Sequence, residues 1–241
     1  MRAGSSYSPY GSKGKGTTIY RFPRRVRQRS SYRPGLTNVR TGGYAQYIKN
    51  DELKFFDTTK SGTAAATTGT IMDSSLVLME QGAGESNRIG RKCVVKSVFI
   101  NAEIQLPSTT TVASESDRIR IVVYLDKQTN GAAATVANLL TATDINSFRN
   151  LQNTGRFRFL WDKCYDICAK VATSTDGTTI ATGVVQETVK IAITGLNIPL
   201  EYNASTPAIA DLNTNNIGVM AIGETGVVQL AYTARVRFQD N

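Results

Sequence analysis

Arginine and aromatic residues alternate in one short segment near the N-terminus of the sequence. The segment is TIYRFPRRVRQRSSYRPG, residues 18–35, and it interleaves guanidinium groups with Tyr20, Phe22 and Tyr32. Arginine contacts phosphates and releases their counterions, while aromatic rings stack on unpaired bases. These residue types in this pattern therefore predict contact with a single-stranded nucleic acid.

The distribution of charge supports the same prediction. Residues 1–50 contain eleven Lys or Arg and no acidic residue, while the rest of the chain contains seventeen basic and nineteen acidic residues. The net charge of +9 therefore comes from the N-terminal segment, which we call the arm. A solubilising tail and a nuclear import signal at Arg24–Arg29 are alternative interpretations of these residues. We predict that nucleic acid is bound by Lys13, Lys15, Tyr20, Arg21, Phe22, Arg24, Arg25, Arg27, Arg29, Tyr32, Arg33 and Arg40.

Residues suited to catalysis or metal binding are few. The chain contains no histidine, which removes Ser-His-Asp and Cys-His pairs and the commonest metal ligand. We expect Cys93 to be a packed thiol. Cys164 and Cys168 would lie about 13 Å apart in an extended chain, too far for a disulfide, and two sulfurs alone make a poor zinc site. We therefore expect no catalytic residue, no metal and no cofactor.

A glycine-containing run at Gln81–Gly90 superficially resembles a dinucleotide-binding loop. It precedes a predicted strand and not a helix, so it offers no helix N-terminus to a pyrophosphate. We interpret it as a flexible turn before the strand.

The predicted strand that follows, within Gly90–Leu106, is the one around which the rest of the chain is organised. From Val94 onwards the even positions are mostly apolar and the odd positions are more polar. This period of two predicts a long strand that buries its even-numbered face and has partners on both sides.

Further alternating segments predict the remaining strands of a body that spans residues 46–241. The segment Asp117–Lys127 alternates, with Ile119, Ile121, Val123 and Leu125 on one face and Arg118, Arg120, Val122 and Tyr124 on the other. One short helix is predicted at Thr135–Thr141. The segment Ile71–Met79 is weakly apolar and could be a strand or a loop. The other predicted strands are Glu52–Asp57, Arg156–Asp162 with Phe157, Phe159 and Trp161 on one face, Gln186–Tyr202, Asn216–Glu224 and Val228–Gln239.

Seven or eight strands with long connections predict an all-β fold, a single jelly-roll sandwich of two antiparallel sheets. An immunoglobulin-type sandwich is disfavoured because paired cysteines around a tryptophan are missing. The arm, residues 1–45, shows no apolar periodicity and is predicted to be disordered. No apolar run is long enough for a membrane span or a secretory signal, so no membrane partner is expected. Lys96, Arg118, Arg120, Arg156 and Arg158 are candidates for a local basic patch on an inner sheet face.

Several motifs follow one another in a fixed order along the chain. They are the arm, ELKFFDT at Glu52–Thr58, QGAGESNRIGRK at Gln81–Lys92, VVYLDKQTNGAAAT at Val122–Thr135, FRNL at Phe148–Leu151 and RFRFLWDK at Arg156–Lys163. This set resembles the capsid proteins of circular Rep-encoding single-stranded DNA (CRESS-DNA) viruses. The plan of a basic arm followed by a jelly roll is also similar to the coat proteins of geminiviruses, whose zinc-finger cysteines are missing here, and of small satellite RNA viruses.

The resemblance implies a non-enzymatic capsid protein, about sixty copies of which form a T=1 icosahedral shell around a circular single-stranded DNA genome. It also implies a location in the virion and, during assembly, in the host nucleus, with a nuclear import receptor and a cell-surface receptor as partners. Two alternatives stay open. One is a coat protein that packages RNA, as in satellite viruses, and the other is a lectin-like or cupin-like jelly-roll module that binds a small ligand.

Overall fold

A computed structural model of the protein describes residues 53–106, 116–168 and 185–240. Their regular secondary structure is almost entirely β-strand. The predicted boundary between an arm and a body, at residues 45 and 46, lies outside them and stays a prediction. The strands are β1 (Leu53–Thr63), β2 (Thr70–Asp73), β3 (Lys92–Leu106), β4 (Ser116–Asp126), β5 (Phe157–Cys168), β6 (Val185–Ile193), β7 (Ile198–Tyr202), β8 (Leu212–Thr214), β9 (Asn216–Gly223) and β10 (Gln229–Asp240).

The strands form two antiparallel sheets. Sheet A has the order β1-β10-β3-β7-β8, with β6 also paired to β3, and sheet B has the order β2-β9-β4-β5. Counting β6 and β7 as one interrupted strand, the chain alternates between the sheets at every step except two: β4 to β5 stays in sheet B, and β7 to the short strand β8 stays in sheet A. This is the strand order of a jelly roll, so the predicted fold class is confirmed.

Strand β3 is the central strand of sheet A, as predicted. It pairs with β10 on one side and with β6 and β7 on the other. The predicted buried face is correct only from Val98 onwards. A register shift leaves Lys96 without a partner on β10, and this bulge brings Cys93 and Val95 into the core in place of Val94 and Lys96.

A second bulge corrects the prediction for β5. Trp161 lies opposite Val123 and Phe159 lies opposite Tyr124, so Leu160 is the extra residue. Phe157 and Phe159 therefore face the outer side of sheet B, while Trp161 packs against the core between the sheets.

Several predicted segments have different bounds in the structure. Strand β2 ends at Asp73 and not at Met79, and β5 continues beyond Asp162 to Cys168. Strand β1 continues six residues beyond the predicted end at Asp57, because Thr58–Thr63 also pair with β10. The predicted strand Gln186–Tyr202 is divided into β6 and β7 at Gly195, which has a φ of +71° that favours glycine. The next residue, Leu196, donates its N–H to Lys96 O at 3.0 Å, at the bulge of β3.

Two apolar clusters hold the body together. The larger fills the space between the sheets and contains the predicted inner face of β4, Ile119, Ile121, Val123 and Leu125. The smaller lies on the outer face of sheet B, where the connection from β4 to β5 covers Val122 and Tyr124. That connection contains the short helix α1 (Val136–Leu139), inside the range predicted to be helical. Among the described residues, none of the helices is long and apolar enough to span a membrane.

Candidate nucleic-acid interface

All twelve residues predicted to bind nucleic acid lie in the arm, outside the described residues. Their role stays a prediction. Among the described residues, the candidates for contact with nucleic acid are the charged and aromatic side chains of the body.

The body residues considered for a basic patch do not form one. Lys96 belongs to β3 of sheet A and donates to Asn197 Oδ1 at 2.8 Å. Arg118 and Arg120 lie on β4, and Arg156 and Arg158 lie at or next to the start of β5, all in or beside sheet B. The hypothesis of one patch that includes Lys96 is therefore wrong, since the sheets separate its members.

Three of these arginines are also neutralised by aspartates. Arg120 donates from Nε and Nη2 to both carboxylate oxygens of Asp162, each at 2.7 Å, and Arg156 binds both oxygens of Asp126 at 2.8 and 2.7 Å. Arg118 pairs with Asp166 at 2.7 Å. Hydrogen bonding to these partners raises the pKa of each arginine. The pairs leave little net charge on this face for a polyanion.

Arg120 also fixes the connection from β4 to β5. Its Nη1 donates to Ile145 O at 3.1 Å and to Ser147 O at 2.6 Å, and the residue is 8% exposed. The side chain therefore holds the segment that covers the outer face of sheet B. Arg120 therefore has a structural role in the part of the chain that the structure describes.

A different arrangement of cations and rings lies on the outer face of sheet A, and sequence reasoning missed it. Arg235 and Arg237 of β10 point to this face between Phe55 of β1 and Phe99 of β3. The signal was available in β10, where the apolar residues alternate with both arginines. It was missed because the prediction for that strand used only its apolar face.

The run Gln81–Gly90 is not the flexible turn that we predicted, because Arg88 pins it. Arg88 is completely buried and donates to Met79 O at 3.1 Å, to Gly90 O at 2.7 Å and to Ala204 O. Its guanidinium carbon lies 4.0 Å from the centre of the Tyr202 ring. The arginine therefore ties this run to the segment that follows β7.

The three cysteines are free thiols, as their spacing predicts. Cys93 is fully buried in the core, and burial together with the negative charge of Asp240 raises its pKa to about 12. Cys164 and Cys168 are exposed on the extended strand β5. In the part of the chain that the structure describes, no cluster of three or more His, Cys, Asp or Glu could hold a metal ion.

Residues 44–241 match the family model of the satellite tobacco necrosis virus coat protein. A coat protein of Maize white line mosaic satellite virus is 28% identical over 120 residues, which cover 49% of this chain and 53% of that protein. The chain thus matches about half the length of this relative. A solved structure described as Desmodium yellow mottle tymovirus aligns with 100% of this chain and 96% of its own chain, at 9% sequence identity. The TM-score of 0.32 is too low for this likeness to support an argument.

The family match corrects one part of the sequence analysis. The resemblance to viral capsid proteins was right about the class of protein, but the matching family comes from a satellite virus and not from a CRESS-DNA virus. Because the matched region includes every described strand, the chain belongs to the satellite tobacco necrosis virus coat protein family.

Proposed function

We propose that the protein is a coat protein that assembles into a small T=1 shell and packages single-stranded RNA with its basic arm. The observation that carries this proposal is a jelly-roll body of a coat-protein family that follows fifty residues with eleven basic and no acidic side chains. Membership of the family implies assembly into a shell, a location in the virion and a structural, non-enzymatic role.

RNA is the better candidate for the packaged polymer. Phosphate contacts and base stacking by the arm suit RNA and DNA alike, so the arm does not decide between them. The family match favours the satellite-virus alternative, for which RNA is the expected genome. The resemblance to DNA viruses was the basis for four further expectations, and they lose that support. They are a circular DNA genome, a nuclear import receptor, a location in the host nucleus during assembly and a cell-surface receptor.

The division of charge explains how such a shell could form. About sixty arms would bring on the order of 660 positive charges to the genome, and each contact would release counterions. The bodies carry almost no net charge, so they can pack side by side without strong mutual repulsion. On sheet B the balance is also local, because ion pairs place an aspartate beside each of three arginines.

The proposal is tested by expressing the full chain and purifying any particles. We expect electron microscopy to show closed shells of uniform size that contain a single-stranded polymer sensitive to ribonuclease and resistant to deoxyribonuclease. Contents that only deoxyribonuclease degrades would favour the DNA alternative. A protein that stays monomeric and free of nucleic acid would contradict the proposal as a whole.

The lectin-like or cupin-like alternative has lost its main support. It rested on the jelly roll alone, which many unrelated proteins share. The family match now accounts for that fold, and this alternative does not explain the acid-free arm.

A further inference from the structure

The outer face of sheet A carries a groove with a volume of about 540 Å³ over strands β1, β10 and β3. This volume falls within the range of roughly 300 to 1,000 Å³ found for small-molecule sites. We call the groove the sheet A groove and define it by six of its lining residues. They are Phe55, Asp57, Phe99, Asn101, Arg235 and Arg237.

Strand register interleaves the rings and the cations of the groove. Phe55 lies directly opposite Arg237, and Phe99 lies directly opposite Arg235. Side chains that face each other across antiparallel strands have their Cβ atoms about 5 Å apart. The groove therefore brings two rings and two guanidinium groups within the reach of one nucleotide.

One of the two guanidinium groups is already oriented. Arg235 donates from Nε and Nη2 to both oxygens of Asp57, at 2.8 and 2.7 Å, and its guanidinium carbon lies 4.7 Å from the centre of the Phe55 ring. The hydrogen bond from Arg235 lowers the pKa of Asp57, so this carboxylate is ionised at neutral pH. Arg235 is therefore a fixed, flat surface whose charge is balanced.

The other guanidinium group is available to a ligand. Arg237 is exposed and forms no ion pair with any carboxylate of the described residues. With Arg235 balanced by Asp57, Arg237 gives the groove a net positive charge. Phe99 is half-buried, so its ring is held by the sheet and partly open to solvent.

These features select a class of ligand. A purely apolar ligand would have to desolvate two guanidinium groups, while a simple anion would make no use of two aromatic rings. Unpaired nucleotides satisfy both halves of the groove, because a base stacks on a ring and the phosphate meets an arginine. The exposed amide of Asn101 adds donors and an acceptor for a base edge.

We propose that the sheet A groove is a second nucleic-acid site, distinct from the arm, that holds one or two unpaired nucleotides of the packaged strand. A base stacks on Phe99, Arg237 binds the adjoining phosphate, and Arg235, fixed by Asp57 and Phe55, forms the second stacking surface. The proposal rests on the proposed packaging of single-stranded RNA and names where on the body the strand is held.

The test places a fluorescent reporter in the groove of the full-length chain. The reporter is F99W in a W161F background, so that the only indole lies on sheet A, and the probe is single-stranded hexaadenylate. The matched control is F148W in the same background, because Phe148 is 82% exposed and lies outside the groove. Fluorescence anisotropy of labelled hexaadenylate reports total binding, including binding by the arm.

We expect hexaadenylate to quench F99W saturably and to leave F148W unchanged. Adding R237Q should reduce the slope of log K against log salt, measured by this quenching, by about 0.7, which is the contribution of one phosphate contact to a single strand. The exposed arginine Arg158 provides the control substitution R158Q, which should leave that slope unchanged.

Three results would overturn the inference. If anisotropy shows binding while F99W stays unquenched, the arm alone binds and the groove proposal fails, although the packaging proposal stands. If F99W is quenched by raising the protein concentration without any oligonucleotide, a second copy of the chain occupies the groove. If no variant binds hexaadenylate and purified particles contain no nucleic acid, the packaging proposal itself fails.

A second measurement needs no substitution and so covers the case in which F99W folds poorly. The wild-type chain is photo-crosslinked to a single-stranded hexaribonucleotide that contains 4-thiouridine, and the crosslinked peptides are identified by mass spectrometry. Crosslinks within β3 or β10 are expected in addition to those in the arm. Crosslinks confined to residues 1–50 would contradict the groove proposal.

Discussion

Arg88 shows how much of the stability of this body depends on single polar residues. Its buried guanidinium gives three backbone carbonyls their hydrogen-bond donors and stacks on Tyr202. Nothing in the run GAGESNR distinguishes Arg88 from a solvated loop charge, because burial here depends on residues about 116 positions away in the sequence. Sequence patterns could therefore not predict it.

We predict that R88K lowers the free energy of unfolding by about 2 to 4 kcal/mol. Lysine keeps the charge but lacks the planar fork, so at least one buried carbonyl loses its donor. Thermal or chemical unfolding of the purified protein measures the change. R91K, at an exposed arginine three residues later, is the control and should change stability by less than about 0.5 kcal/mol. Equal stability of R88K and wild type would show that the three bonds are not needed.

Two aspartates should give opposite dependences of stability on pH. Burial raises the pKa of Asp73 above its ordinary value of 3.8, while the hydrogen bond from Arg235 lowers the pKa of Asp57 below the same value. Because protonation is linked to folding, the direction of each pKa shift determines how stability changes with pH. The stability that Asp73 contributes is present below pH 3.8 and is lost as pH rises through its raised pKa. The stability from Asp57 is present above pH 3.8 and is lost as pH falls through its lowered pKa.

Unfolding of D73N and D57N between pH 2.5 and 7 tests this prediction. We expect D73N to gain stability relative to wild type as pH rises, because it lacks the buried carboxylate that must ionise. D57N should lose stability relative to wild type over the same range, since wild type alone gains the ionised pair with Arg235. Parallel curves for the two variants would contradict the assignment.

At the scale of the elements, periodicity identified the strands but misassigned some of their faces. The alternation in β4 was read correctly because its pairing with β9 is regular and the extra residue in its pairing with β5 lies on β5. In β3 and β5 one extra residue, Lys96 or Leu160, moves every residue on one side of it to the opposite face. Neither bulge carries a glycine or another local signal, so only the partner strand reveals it.

The connection from β4 to β5 offers a direct comparison of two leucines. Leu139 of α1 is 1% exposed in the smaller apolar cluster, whereas Leu151 of the same connection is 73% exposed. We predict that L139A lowers the free energy of unfolding by about 2 to 4 kcal/mol, the cost of a core cavity. L151A should change it by less than about 0.5 kcal/mol. Chemical unfolding measures both, and similar losses would mean that the connection does not act as a cover.

For the whole molecule, sequence alone predicted the architecture, the division of charge and the class of protein. The class came from several motifs in a fixed order, and the virus group was wrong because the same plan of arm and jelly roll serves DNA and RNA viruses. The groove on sheet A was missed for two reasons: the prediction for β10 used only its apolar face, and the other groove residues come from two strands that are distant in sequence. Only sheet pairing brings Phe55, Phe99 and Arg235 together.

The charge on the arm predicts how packaging responds to salt. If one arm engages six to ten phosphates, log K should fall with log salt at a slope of roughly −4 to −7. Replacing Arg24, Arg25, Arg27 and Arg29 together by Gln should flatten the slope by about 0.7 for each phosphate that the arm no longer binds, equally for two RNAs of unrelated sequence. Titration of the full-length chain at several salt concentrations measures the slopes.

Four exposed cations of the body provide the matched control, because their replacement changes the net charge by the same amount. They are Arg91, Lys127, Arg158 and Lys163. If contact with phosphates takes place on the arm, this second set should leave the slope nearly unchanged. An equal flattening by both sets would mean that net charge alone attracts the polymer. A loss of affinity for only one of the two RNAs would mean that the arm reads bases, because phosphate contacts carry no sequence information.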